Sequence, residues 1–448
     1  MALRFWRGRA PLIIAASGSR SSGKSRKEFP ICSTSLHLNW SRRALKPGIE
    51  LALFEIVGTI RFGETAAKRD VRIDWLRGLA MTCVIVNHSK LSSLLSWFSY
   101  ERLWVVTAAE VFVVLSGVVL GMVYGRRLAR DGWQAVVRGL GRRALLLYSA
   151  FVAVTVSMLA LAAMGVDVGF LVPTDGETAG WFVAPNTMTT SAWRDVLSMR
   201  AGPWAFEIIG LYVWLVAAAI PCLLILHRAG WRVLLAASWA LYLWYRVDPH
   251  AITTSGFEMA FPLLAWQLLF VHGIAIGYHR KDVGAFFGRM PSITPRVAAF
   301  VTAGFTIFAF CCPWSPGPSW LHLRVVSPER FTELYERYFS LSDLGIGRLL
   351  NLSVALPVAY LMLTREWAVT RSLEKVFVVL GQRSLGAFVL HVYGLLVLSH
   401  LPIPDGIWIN TLAQVTLVAA IATLLMSAEH LRNRSRSPSL PQAQPLAA

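Results

Sequence analysis

"RDVRIDWLRGLAMTCVIVNHS", residues 69–89, decides how the rest of the chain is read. It has the apolar density of a membrane span, yet Asp74, Arg77 and His88 sit along it. An ionised side chain near the bilayer centre costs roughly 2.5–3.5 kcal/mol on insertion scales, so each one requires a partner, a water-filled space or a role. Helical spacing makes the three informative together. Arg77 and His88, eleven residues apart in the sequence, fall almost in line at 3.6 residues per turn, about 16 Å apart along the axis. Asp74 shares that stripe as the i, i+3 neighbour of Arg77, with Met81 and Val84 filling the face between and Asn87 turned elsewhere. Two structural readings compete with a site: an arginine that snorkels to the interface and a histidine that makes an interhelical hydrogen bond.

The composition agrees with a membrane setting. Of the 448 residues, 55% are hydrophobic and only 15% charged, with 18 tryptophans, and the mean hydropathy is positive; a soluble enzyme of this length is more polar. The net charge of +18 would suit a nucleic-acid binder, but basic cytoplasmic loops account for it better, so no nucleic-acid partner is expected. Cys32, Cys83, Cys222, Cys311 and Cys312 form no CxxC pair and no metal-ligand spacing. Their odd number argues against a disulfide framework, and they are expected as packing residues; no metal site is expected.

Residues 1–68 differ from the rest of the chain: Arg- and Ser-rich, with the short apolar run "APLIIAA". They have the flavour of a targeting peptide, or form a disordered extension or the product of an over-extended translation start. The membrane domain is expected over 69–430, and a disordered cytoplasmic tail over 431–448. Within the domain, hydropathy marks about ten candidate helices: 73–98, 103–124, 144–165, 205–226, 230–247, 259–278, 296–313, 347–364, 376–398 and 406–426. No segment alternates as a barrel strand does, so the expected fold is all-α, a polytopic integral membrane protein. Orientation follows from charge. One set of connecting segments, among them "GRRLARDGWQAVVRGLGRR" (125–143) and "HRKDVGAFFGRM" (279–290), holds eighteen Lys or Arg and five acids, whereas the opposite set holds nine basic and twelve acidic residues. Positive charge collects inside, which puts both termini in the cytoplasm and the long loops 166–204 and 314–346 outside. In the second of these, 327–340 fits a short amphipathic helix.

Four stretches then resemble one family. "RIDWLRGLAMTCVIVNH" resembles the first helix of the acyltransferase family 3 superfamily, whose hallmark is an Arg, ten residues and a His; Arg77 and His88 match. "RDVRID", "AEVFVVLSGVVLGMVYG" (109–125), "PLLAWQLLFVHGIAIG" (262–277) and "LGQRSLGAFVLHVYG" (380–394) look most like its OpgC branch, in consistent order over most of 69–400. Departures occur at "WAFEIIGLY" (204–212), where the family reads like "DILPLY" and Glu207 is the nearest carboxylate, and at "FPLLAWQ", which lacks the usual Asn-Pro-Phe.

The resemblance implies transfer of an acyl group, succinyl or acetyl, from cytoplasmic acyl-coenzyme A to a hydroxyl of an extracytoplasmic carbohydrate, a cell-envelope glucan or other glycan. It implies a plasma-membrane location, lipid contact, acyl-coenzyme A as co-substrate and no permanently bound cofactor. His88 is the expected base, or the nucleophile that carries the acyl group transiently. Arg77 suits the donor's phosphates, with Asp74 holding its guanidinium. Arg126, Arg127, Arg142 and Arg143 belong to the positive-inside pattern first. Glu110, a span carboxylate, must be protonated or paired and is the second catalytic candidate, with His88 or a hydroxyl as partner; Ser116 and Gly117 read as packing. Gln382, Arg383 and Ser384 precede His391, with Ser384 and His391 on one face, as substrate-binding residues or as a polar seam against the first helix. Gln267, with Trp266 and His272, is a weaker candidate of the same kind. No phosphate-cradling glycine loop, GxSxG elbow or HExxH is present. The rival is a transporter or flippase in which Asp74, Arg77, Glu110 and His88 form an ion relay, although no repeat halves are visible. The acyltransferase expectation depends on Arg77 and His88 sharing one wet interior pocket.

Overall fold

Hydropathy carries the first span to residue 98, but the first helix, α1 (Val71–His88), stops ten residues earlier. Asp70 caps it, its side chain accepting from the Arg72 N–H. The irregular stretch beyond His88 is held by a helix from the far end of the chain, α13 (Ile407–Arg434). There the buried Gln414 accepts from the Ser93 hydroxyl at 2.5 Å and donates to Ser89 Oγ at 2.8 Å and to the carbonyls of Leu91 and Val86 at 3.1 and 3.3 Å. Asn410 donates to Ser92 O at 2.8 Å, and Thr411 Oγ1 accepts from the Leu94 N–H at 3.0 Å. Non-helical backbone in an apolar setting is tolerated where protein groups satisfy it in this way. His88 therefore lies at the end of α1 and not in its middle.

The computed structural model describes residues 70–99, 101, 105–172, 190–291, 293–315, 317–365 and 373–434. The expectations for residues 1–68 and for most of the tail lie outside these, although α13 runs helically through Arg434, past the expected boundary at 430. Among the described residues all regular elements are helical. After α1 and a single helical turn, Ser96–Ser99, come α2 (Ala108–Ala163), α3 (Thr190–Leu197), α4 (Glu207–Arg228), α5 (Gly230–Val247), α6 (Leu263–Tyr278), α7 (Arg280–Gly288), α8 (Thr294–Phe310), α9 (Pro328–Tyr338), α10 (Ile346–Arg365), α11 (Glu374–Gln382), α12 (Ser384–Ser399) and α13.

By length and composition four helical segments can cross a membrane: α2, Trp204–Arg228, Ile346–Thr364 and Ile407–Leu431. The pair α11 and α12, bent by 99° at Arg383, would make a fifth. The other apolar helices are shorter, as with α6 and α8, or carry charge, as with Arg72, Asp74 and Arg77 on α1. The basic segment 125–143, expected as a loop, continues α2 as helix and breaks only at Gly132, with φ 75° and ψ 179°, a conformation open to glycine. The amphipathic helix expected in 327–340 is α9, capped by Ser327 with Pro328 in its first turn.

Two close helix contacts position the site. α2 packs on α6, where a Cβ on Gly117 would lie 2.3 Å from Phe270 O and one on Gly273 2.3 Å from Val114 O. The small pair Ser116–Gly117 thus serves packing. α1 packs on α11 closer still: a Cβ on Gly78 would lie 1.7 Å from Phe377 O, and one on Gly381 1.8 Å from Asp74 O. That contact sets the start of α12 beside Arg77.

Candidate active site

α12 faces α1 through two polar pairs. Arg77 Nη2 donates to Ser384 Oγ at 2.8 Å, and His88 Nδ1 lies 3.2 Å from His391 Nε2. The second pair has a definite hydrogen arrangement. His391 Nδ1 is 2.6 Å from Phe388 O, and a carbonyl oxygen only accepts, so in the neutral ring Nδ1 carries the hydrogen and Nε2 the lone pair. His88 must then donate from Nδ1, which leaves its own Nε2 as the basic nitrogen. This is the logic by which an orienting group fixes a catalytic imidazole. Around the pair, the Trp204 ring lies 4.9 Å from the His88 ring. Trp204 is itself fixed, donating from Nε1 to Phe170 O at 2.8 Å, with Lys90 Nζ 4.8 Å from its ring centroid. His391 is fully buried and His88 half-buried, so His88 is the member open to a reactant.

Arg77 occupies a different environment. It is 4% exposed, with Asp74 at 3.7 Å and the Phe112 ring 5.1 Å from its guanidinium carbon; Gln382 Nε2 donates to Asp74 at 3.4 Å. The single pocket expected to join Arg77 and His88 is not what the packing gives. From Arg77 to the imidazoles the contacts run through Phe112, Phe388 and His391, with ring centroids 5.3 Å and 5.6 Å apart, while Met81 and Val84 between them on α1 are buried. Two polar ends are separated by packed rings and joined along the α1–α12 seam.

Beyond Arg77, the Asp70 end of α1 carries accessible cations that sequence reasoning passed over. Asp70 accepts from Arg72 Nε at 3.0 Å, Arg280 Nη2 at 2.9 Å and Tyr360 OH at 2.9 Å, and Arg72 Nη1 reaches Thr364 Oγ1 at 2.9 Å. Burial works to raise the Asp70 carboxyl, but the hydrogen bonds and charge of Arg72, with Tyr360 and Arg280, outweigh it and hold the group below its ordinary range. Arg72 and Arg280 keep about a third of their side-chain surface exposed, at 29% and 31%.

Several expected site residues are placed elsewhere. Glu110 turns to Arg348, whose Nη1 lies 3.1 Å from Oε2, and it caps its own helix by accepting from the Thr107 N–H at 2.5 Å. Arg348, wholly buried, also bonds Glu101, and it donates to Phe339 O at 2.7 Å; Tyr335 OH donates to Glu101 at 2.9 Å. Burial pushes the Glu101 carboxyl up, with Glu110 adding to the effect and Arg348 opposing it. Of the partners expected for Glu110, His88 is replaced by Arg348, while a hydroxyl is present, Thr107 Oγ1 donating at 2.9 Å from the cap of the same helix. The signal "TAAE" (107–110) has the capping-box pattern, and a buried cation 238 residues away has no local signal at all. Gln267 is satisfied within a cross-link between α5 and α6: Nε2 donates to Ser238 O at 2.9 Å and Oε1 accepts from Ser238 Oγ at 2.7 Å. His272, beside it, accepts from Trp239 Nε1 at 3.2 Å. Arg383 pairs with Glu429 on α13 at 3.1 Å. Of the expected residues, the structure brings together Asp74, Arg77 and Ser384 at one end of the seam and His88 and His391 at the other.

Among the described residues, a helical bundle with several helices long and apolar enough to cross a membrane places the chain in the class of membrane proteins. Within that class, the chain matches the family described as OpgC protein over residues 69–433 and belongs to it. Membership is consistent with a transferase acting in glucan modification. No curated protein and no solved structure matches the chain.

Proposed function

We propose that this protein is an integral membrane O-acyltransferase, which moves an acyl group from acyl-coenzyme A at the Asp70 end of α1 to a carbohydrate hydroxyl at the His88 end. The observation that carries the reading is the hydrogen-bond series Phe388 O, His391, His88, which leaves His88 Nε2 unprotonated on a half-buried ring. His88 takes the acceptor hydroxyl's proton as the oxygen attacks the thioester carbonyl; the carbon–sulfur bond breaks and the sulfur leaves as the thiol, with the proton that His88 returns. Arg72 and Arg280 offer guanidiniums to the donor's phosphates, and Arg77 with Asp74 and Ser384 ties α12 to α1; since Phe112 and Phe388 are packed between the two ends, the reading requires these rings to part for the donor's arm to reach His88. Taken with the charge asymmetry of the loops, the reading is of ten crossings in the cell membrane with both termini cytoplasmic, succinyl or acetyl as the acyl group and a cell-envelope glucan as acceptor. The transporter alternative draws less support, because Glu110, which its relay needs beside His88, belongs to the Arg348 cluster instead. Radiolabelled succinyl- or acetyl-coenzyme A, supplied to purified protein with glucan oligosaccharides, tests it: label passes to the oligosaccharide and His88→Ala abolishes transfer. Solute movement without acylation would overturn the reading.

A further inference from the structure

Among the described residues, Glu207 is the exception to the pairing of buried carboxylates. Asp74 meets Arg77 and Gln382, Glu101 and Glu110 meet Arg348, and Glu258 accepts from the Leu263 and Thr253 N–H groups at 2.9 and 3.1 Å. Glu207 is 6% exposed, and its side chain makes no hydrogen bond or ion pair with the described residues. A buried polar group with no partner is costly, and its retention calls for an explanation other than stability.

Its position supplies one. Trp204–Phe206 is a 3₁₀ turn that closes when the Glu207 N–H bonds Trp204 O, and in that geometry side chains three apart eclipse. Glu207 therefore leaves the same face as Trp204, whose ring packs on His88. A carboxyl group presents two oxygens to hydrogen-bonding partners, so the chemistry that completes it is a set of hydroxyls, as a sugar presents. We propose that Glu207 is an acceptor-recognition residue: it takes hydrogen bonds from carbohydrate hydroxyls adjoining the one that His88 deprotonates. The proposal rests on the acyl-transfer reading.

The test uses the full chain in detergent, Glu207→Gln and Glu207→Leu, and a linear β-linked glucose oligosaccharide as probe. Three quantities are measured: the thermal midpoint, equilibrium binding of the probe, and the KM values for probe and acyl-coenzyme A. Removing a buried acid with no partner is expected to raise the midpoint of Glu207→Leu by a few degrees. Probe affinity falls about tenfold in both variants, as for lost hydrogen bonds to a buried carboxyl, and the acyl-coenzyme A KM is unchanged. A lower midpoint in both variants with unaltered probe binding would overturn the proposal and mark Glu207 as structural. If wild-type protein binds the probe but transfers nothing, the acyl-transfer reading fails, while Glu207 is still judged by the binding comparison.

Discussion

His391 donates to the carbonyl of Phe388 in its own helix, and that one bond sets which nitrogen of His88 is basic. Loss of the orienting ring frees His88 to rotate or to adopt the other tautomer. His391→Ala is therefore expected to lower kcat by about 10²–10⁴ with little change in either KM, measured by label transfer on folded protein. A phenylalanine at 391 should fail equally, since packing without the acceptor nitrogen does not hold His88. Asp70 gives a second residue-scale expectation, through pH. Its carboxyl is held below the ordinary range by Arg72, Tyr360 and Arg280, so its contribution to stability is present above the unfolded value of about 4 and is lost as pH falls through the lower folded value. Thermal unfolding in detergent from about pH 6 to pH 3 should show wild type and Asp70→Asn converging at the acid end. A constant difference would contradict the assignment.

At the scale of elements, the α1–α11 contact is the joint on which the seam depends. No side chain fits between Gly381 and the Asp74 carbonyl, and overpacking of this kind costs about 1–3 kcal/mol. Gly381→Ala should lower the thermal midpoint and activity together by moving Ser384 away from Arg77. Gly288→Ala, which meets nothing within 4 Å, should leave both unchanged. Arg348 joins α2, α9 and α10 through Glu110, Tyr335 and its own helix. Its removal strands two buried carboxylates, and Arg348→Ala is expected to cost about 3–5 kcal/mol, read by denaturation in detergent. Much of this level was legible in the sequence, because helical periodicity is local: the stripe of Asp74, Arg77 and His88, the shared face of Ser384 and His391, and α9. The end of α1 was not legible. Hydropathy continues through 89–98, and what ends the helix there is Gln414, more than 300 residues away. The partner of Gln267 was hidden for the same reason, since Ser238 lies on another helix.

For the whole molecule, charge asymmetry and helix order together give a falsifiable topology. The proposed topology puts the bundle end with Asp70, Arg72 and Arg280 in the cytoplasm, where Lys and Arg collect, and the end with His88 and Trp204 outside. In a cysteine-free background, Leu401→Cys should react with an impermeant maleimide in intact cells, and Lys281→Cys only after permeabilisation. The all-helical class follows from composition and the lack of strand-like alternation, whereas of the ten spans hydropathy marks, four or five pass as membrane-crossing by length and composition among the described residues. The separation of the two polar ends does not follow from either, because the rings that divide them, Phe112 and Phe388, lie on helices far apart in the sequence. The measurement that bears most directly on the central claim is ¹⁵N magic-angle-spinning NMR of histidine-labelled protein, with the His88 signals assigned by difference from His88→Ala. The hydrogen-bonded imidazole pair predicts a His88 ring protonated at Nδ1 and bare at Nε2 near neutral pH; a ring protonated at Nε2 would contradict it.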